Sequence, residues 1–239
     1  MSRAAYLLEP EGPVPYLEAW DLQRSLAGAV SRGELPDTVV LLEHAPVITL
    51  GRRAEEGELH VPEGAEVEIV ETDRGGKSTY HGPGQLVCYP IFDLTRHGQD
   101  VKRYCRDLEE ALIRTLAPIG VSATRIEGLT GIWVEAPPRK IASIGIHISK
   151  WVTTHGYALN VDLDPAPFTD WITACGLDDA AFTTVASELG RAVSVDEVRP
   201  HAAAALEDVF DLALESLPHG ALAQLAAAEP VQPETAGAR

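Results

Sequence analysis

Between Val121 and Val161 four strand-like stretches follow one another with no helical period between them: Val121 to Ile126, Gly131 to Glu135, Ile141 to Ser149 and Thr154 to Val161. Parallel neighbours need a crossover of a dozen or more residues, usually a helix, so strands this closely spaced read as antiparallel. A βαβ repeat would look different. Further strand candidates precede them at Thr38 to Glu43, Pro46 to Leu50, Glu66 to Thr72 and Gln85 to Leu94, with a charged loop at Arg52 to Glu58. Helical spacing flanks the strands. Tyr16 to Val30 offers Leu17, Trp20, Leu26 and Val30 to one face, with Gly33 and Pro36 as stop signals. Asp100 to Pro118 places Val101, Tyr104, Leu108, Leu112 and Leu116 about a turn apart behind an Asp100 N-cap, and Gly120 ends it. A third helix is expected at Arg199 to Ser216. The pattern predicts an α+β fold with a largely antiparallel sheet flanked by helices, and the length suits one large domain or two small ones. Residues 221–239, rich in Ala, Pro, Glu and Gln, read as a flexible tail.

With 239 residues, 45% of them hydrophobic, the chain can bury a proper core. A net charge of −17 argues against generic nucleic-acid binding, which needs clustered Lys and Arg. The charge is also lopsided: of the nineteen lysines and arginines, only Arg191, Arg199 and Arg239 follow Trp151. An acidic partner would therefore dock on the earlier part, with Arg52, Arg53, Arg74, Lys77, Arg139 and Lys150 as candidates, although any one of them could be plain surface charge. No apolar stretch approaches the roughly 18 residues of a membrane span, and Met1 to Ala5 leads into polar sequence without a secretory core, so the expected address is the cytoplasm. Cys88, Cys105 and Cys175 are odd in number and lack metal-ligand spacing, which favours reduced thiols over disulfides or zinc. His44, His147 and His155 likewise lack metal-site spacing, and no metal is expected.

The densest local signal is Arg74-Gly75-Gly76-Lys77-Ser78-Thr79-Tyr80-His81-Gly82-Pro83-Gly84-Gln85. Gly76-Lys77-Ser78 copies the second half of a phosphate-binding loop. However, Glu71 stands where that motif needs its first glycine, and strand rather than helix follows. What remains is a long turn between strands, where glycines let a ligand approach the backbone and Arg74, Lys77 and His81 supply donors.

This run resembles the signature of the lipoyl(octanoyl) transferases. Glu43-His44-Ala45-Pro46-Val47-Ile48-Thr49-Leu50-Gly51, Lys140-Ile141-Ala142-Ser143-Ile144-Gly145, Gly156-Tyr157-Ala158-Leu159-Asn160-Val161 and Cys175-Gly176 match further family blocks in order, over about residues 38 to 177. The resemblance implies a biotin/lipoate ligase-like fold with a mixed sheet, in a single catalytic domain over residues 1–220. It implies octanoyl transfer from acyl carrier protein to a lysine of lipoyl domains, in 2-oxoacid dehydrogenase complexes and glycine cleavage H protein. It further implies a monomer without cofactor beyond the donor's phosphopantetheine. Arg74, Gly75, Gly76, Lys77, Ser78, Thr79, Tyr80 and His81 would line the substrate site with Ser143, Ile144, Gly145, Gly156, Tyr157 and Ala158. The glycines and Ala158 would leave room for the acyl chain. Ala174 departs from the family pattern, which often has proline before the cysteine.

Residue type alone makes Cys175 more often a small buried hydrophobe than a nucleophile, and Lys140 a strand-end charge. His81 reads equally as a histidine satisfied by the turn. The resemblance implies instead that Cys175 carries the acyl chain as a thioester and that Lys140 is its partner. A free thiol titrates near about 8.5, so half ionisation at pH 7 takes roughly 2 kcal/mol. An ammonium about 4 Å away offers roughly 4 kcal/mol at an effective dielectric of 20. One lysine is enough. Cys88 in an apolar strand and Cys105 in a helix fall on no functional block. Three alternatives remain: an ATP-dependent lipoate or biotin ligase, which needs no thiol; a silent binder of acyl carrier protein or lipoyl domains; and a cysteine hydrolase, which would want a histidine beside the thiol.

Overall fold

The computed structural model describes residues 2–55, 57–135, 137–173 and 181–217. The predicted tail at 221–239 and Cys175 lie outside the described residues. The strands are Arg3–Leu8 (β1), Pro13–Val14 (β2), Thr38–His44 (β3), Val47–Leu50 (β4), Glu68–Glu71 (β5), Ser78–His81 (β6) and Gln85–Ile91 (β7). They continue with Thr124–Ile126 (β8), Leu129–Val134 (β9), Arg139–Ser149 (β10), Val152–Asn160 (β11), Ala181–Phe182 (β12) and Leu212–Ser216 (β13). The α-helices are Tyr16–Ser31 (α1), Val101–Leu116 (α2), Val185–Leu189 (α3) and Val195–Phe210 (α4).

The main sheet runs β13-β1-β3-β7-β11-β10-β9-β8, with β2 beside β3 and β12 beside β10. It is parallel where β13, β1 and β3 meet and antiparallel from β3 to β8. A small sheet, β5-β4-β6, stands apart from it. Both faces of the main sheet are covered. Val39, Leu41, Leu86, Cys88 and Leu159 join Leu108, Leu112 and Leu116 of α2 and Val198, Ala202 and Leu206 of α4. The alternate residues Val40, Leu42, Val87, Ile91 and Ala158 meet Ala19, Leu26 and Val30 of α1. Successive side chains of a strand point to opposite faces, so a strand buried on both sides reads as a continuous apolar run, as β3 and β7 do. In the small sheet Ile48 and Tyr80 pack with Leu163, Phe168 and Ile172.

Several expectations need correction. The predicted helix Arg199 to Ser216 is a helix followed by a strand. Asp211, at φ +53, ends α4, and β13 then pairs in parallel with β1, Arg3 opposite Leu212. The helix begins earlier than expected because Ser194 caps it, its side chain accepting from Glu197 N, while Pro200 lies inside. The inner face of α1 is Tyr16, Ala19, Gln23, Leu26 and Val30, whereas Leu17 is exposed. Val101 of α2 is exposed too, because it is the first residue after the Asp100 cap. The signature run is not one long turn: Ser78–His81 pairs with Val47–Leu50 as a strand, and only 74–77 and 82–84 turn.

Candidate active site

A cleft of about 560 Å³, open solvent included, lies where α1, β6, β7, β10 and β11 converge. Arg74, Gly76, Lys77, Ser78, Thr79 and His81 form one wall. Lys140, Ser143, Ile144 and Gly145 come from β10, and Gly156, Tyr157 and Ala158 from β11. Two of the expected lining residues are absent from it. Tyr80 turns into the small-sheet core, meeting Phe168 and Trp171 edge-on at ring-centroid distances of 5.9 and 6.0 Å. Gly75 is held by its backbone, its N–H donating to Ile146 O at 2.9 Å.

The cationic residues act mainly in folding the wall. Arg74, a candidate for docking an acidic partner, is 7% exposed. Its guanidinium donates from Nε to Thr49 Oγ1 at 3.0 Å, from Nη2 to Thr49 O at 2.5 Å and from Nη1 to Gly75 O at 3.1 Å. Those bonds tie the turn to β4, so Arg74 shapes the cleft from within. Lys77 pairs with Glu58 at 2.8 Å and Glu55 at 3.1 Å, and Arg139 with Glu188 at 3.0 Å. Arg52, Arg53 and Lys150 remain exposed.

Glu58, which in sequence is only part of a charged loop, is buried and central. Its carboxylate accepts from Lys77 Nζ and Ser78 Oγ, both at 2.8 Å. Its carbonyl accepts from Thr173 N at 2.9 Å, and Leu59 bridges Ile172. The loop thereby fastens the cleft wall to the segment running toward Cys175. Burial acts to raise the Glu58 pKa, but the Lys77 and Ser78 hydrogen bonds outweigh it and hold the carboxyl below its usual range.

Lys140 is 5% exposed, which a gatekeeper charge in water would not be. It sits where β10 pairs with β9 on one side and β12 on the other, and its Nζ lies 5.4 Å from the centroid of Trp133. Gly131, at φ +109, makes room for it: a Cβ there would come within 2.9 Å of Lys140 Cε and 2.5 Å of Ala142 O. Only glycine meets both demands.

Gly145 and Gly156 have a second role. Gly145 stands opposite Gly156 in the β10–β11 ladder. A Cβ on Gly156 would fall 2.2 Å from Cys88 O, and one on Gly145 would fall 3.0 Å from Gly75 O. The Cβ side of each glycine faces neighbouring backbone, so they allow close strand packing while lining the cleft.

Tyr16, Val87, Tyr89 and His155 also line the cleft, unforeseen from the sequence. The period-2 alternation of β7 puts Val87 and Tyr89 on one face and could have flagged them. His155 stands at φ +57, rare for a residue with a side chain, and its N–H donates to Gln23 Oε1 at 2.7 Å. Its Nε2 lies 2.7 Å from Asp73 Oδ1. Burial lowers the His155 pKa below the ordinary histidine range despite that partner. His44 donates from Nδ1 to Val14 O at 2.8 Å and so accepts at Nε2 from Tyr89 OH at 2.6 Å; burial brings its pKa down to about 4. Cys88 and Cys105 have pKa values raised by burial, consistent with inert packing thiols. No helix among the described residues is long and apolar enough to cross a membrane.

The lipoyl protein ligase A/B catalytic-domain model matches residues 15–207. An octanoyltransferase of Chloroflexus aurantiacus is 49% identical over 207 residues, covering 84% of this chain and 92% of that one. An octanoyltransferase of Mycobacterium tuberculosis is 51% identical over 201 residues, covering 84% and 85%. The fold is shared with a bi-partite lipoate protein ligase from Thermoplasma acidophilum, at TM-score 0.69 and 16% identity over 95% of this chain and 91% of that one. It is shared equally with lipoate-protein ligase A bound with ATP, at TM-score 0.69 and 16% identity over 95% and 94%. The chain thus belongs to the lipoyl protein ligase A/B catalytic-domain family, among its octanoyltransferases.

Proposed function

We propose that this chain takes an octanoyl group from acyl carrier protein onto Cys175 and passes it to the ε-amine of a lipoyl-domain lysine, in the cytoplasm and without ATP, metal or further cofactor. The acceptors are the lipoyl domains of 2-oxoacid dehydrogenase complexes and the glycine cleavage H protein. The observation that carries this reading is Lys140, an ammonium withdrawn from solvent onto the cleft lining. A lysine so placed can act on a thiol or an amine held in the cleft. Thr173, two residues before Cys175, is tied through Glu58 to the opposite wall of the same cleft. Both names from relatives near 50% identity point to octanoyl as the group moved.

In the first half-reaction the Cys175 thiolate, favoured by Lys140, attacks the donor thioester, and Lys140 protonates the departing phosphopantetheine thiolate. The new thioester carries no charge on sulfur. Lys140, now the neutral amine, takes a proton from the incoming lysine as that amine attacks and Cys175 leaves. The test supplies octanoyl-acyl carrier protein and an unmodified lipoyl domain, without ATP. The reading expects an octanoyl group on the lipoyl domain; modification that appears only with free octanoate and ATP would make the chain a ligase instead.

A further inference from the structure

His81 bonds through one ring nitrogen only among the described residues: Nδ1 lies 2.7 Å from Gln85 Oε1. The Gln85 amide has no freedom to turn over. Its Nε2 faces the Tyr80 carbonyl at 3.3 Å and Asn160 Oδ1 at 2.9 Å. Asn160 in turn faces the Thr183 carbonyl with Nδ2, at 3.2 Å. Main-chain carbonyls only accept, so each amide must present nitrogen to them. That leaves Gln85 Oε1 as an acceptor and His81 Nδ1 as the protonated nitrogen. His81 Nε2 is therefore a bare lone pair on a residue that lines the cleft.

The relay is buried throughout, with His81 7%, Gln85 1% and Asn160 3% exposed. It ends against the other key residue, because Thr183 N donates to Lys140 O at 3.0 Å. Around the ring stand Tyr16 of α1, stacked at 6.2 Å, His44 of β3 at 5.6 Å, the Arg74 guanidinium and His155 of β11. Burial first, then His44, disfavour the imidazolium; the Gln85 hydrogen bond pulls the other way, and Arg74 and His155 add smaller effects against the charge. Among the other polar groups of the lining, Lys77 and Ser78 donate to Glu58, and Tyr89 donates to His44. An amine attacking a thioester must aim its lone pair at carbon while an N–H finds an acceptor.

We propose that Gln85 and Asn160 are positioning residues that hold His81 in the Nδ1–H form, so that Nε2 accepts an N–H of the incoming lysine amine. This rests on the transfer reading above, and its test has an arm that does not. In protein labelled with ¹⁵N-histidine, His81 is assigned by comparison with His81→Gln. Its spectrum near neutral pH should show a protonated Nδ1 and an unprotonated Nε2; a protonated Nε2 in wild type would overturn the relay. The second arm is Gln85→Glu, whose carboxylate favours the imidazolium and so removes the acceptor. Acyl loading from the donor should stay within about twofold, while transfer to the lipoyl domain slows by about tenfold near neutral pH. The deficit should shrink as pH rises and the ring loses its proton. Equal slowing of both half-reactions, or of neither, would overturn the assignment to the amine step. Absence of any acyl loading in wild type would defeat the transfer reading and, with it, the amine's role, while the spectrum still decides the tautomer.

Discussion

Strands β7 and β11 carry two different chemistries on their two faces. Toward α2 and α4 they present Leu86, Cys88 and Leu159, in a cluster otherwise made of aliphatic and aromatic side chains. Toward α1 they present Val87, Tyr89 and Ala158, beside a nest of His44, His81, His155 and Tyr16. The first face needs only shape and apolar area. The second buries polar rings that lose water and must each be matched by a partner: Val14 O for His44, Gln85 for His81 and Asp73 for His155. This is the face that opens into the cleft.

The sharpest way to separate the two is Lys140→Met, which keeps the length of the side chain and removes the charge. Transfer should fall by about a thousandfold with the thermal midpoint little changed. Steady-state kinetics beside a melting curve check it, and an unfolded variant or an active one would contradict the division. Leu108→Ala, on the opposite side of the sheet, should do the reverse. It should cost about 2–5 kcal/mol of stability in denaturant titrations while leaving kcat/KM of the folded protein nearly unaltered.

The histidine face also sets a pH dependence. The pKa of His44 is depressed in the folded state to about 4 from 6.5, so below 6.5 the unfolded chain binds the extra proton. Stability is therefore full above pH 6.5 and is lost as pH falls toward 4, by up to about 3 kcal/mol for this group. His44→Phe should be less stable at neutral pH, since Tyr89 OH loses its acceptor, yet lose less across that window. Urea titrations at a series of pH values would refute this if the two slopes were the same.

How much of this could be read from the chain varies with the range of the interaction. The β8 to β11 meander and α2 are local patterns, and the sequence shows them to within a few residues. The β1–β13 pair joins the two ends of the domain, and neither Arg3–Leu8 nor Leu212–Ser216 alternates clearly enough to announce a strand without its partner. The inner face of α1 includes Ala19 and Gln23, small or polar residues that carry no hydrophobic signal. In the site, residue types and resemblance picked out Lys140, His81 and most of the wall. They placed Arg74, Gly145 and Gly156 on the wall correctly, but offered Arg74 also as a docking cation, because exposure and burial of a cation look alike in sequence. Glu58 and His155 were legible only once the turn, β4 and the segment before Cys175 had been brought together.

The central claim is the acyl-thioester on Cys175. Intact mass spectrometry after incubation with octanoyl-acyl carrier protein alone, without ATP or acceptor, tests it on wild type and Cys175→Ser. An octanoyl adduct on wild type that hydroxylamine removes, and that the serine variant lacks, is the predicted result. A wild type that stays unmodified, or a Cys175→Ser variant that acquires the same labile adduct, would contradict it.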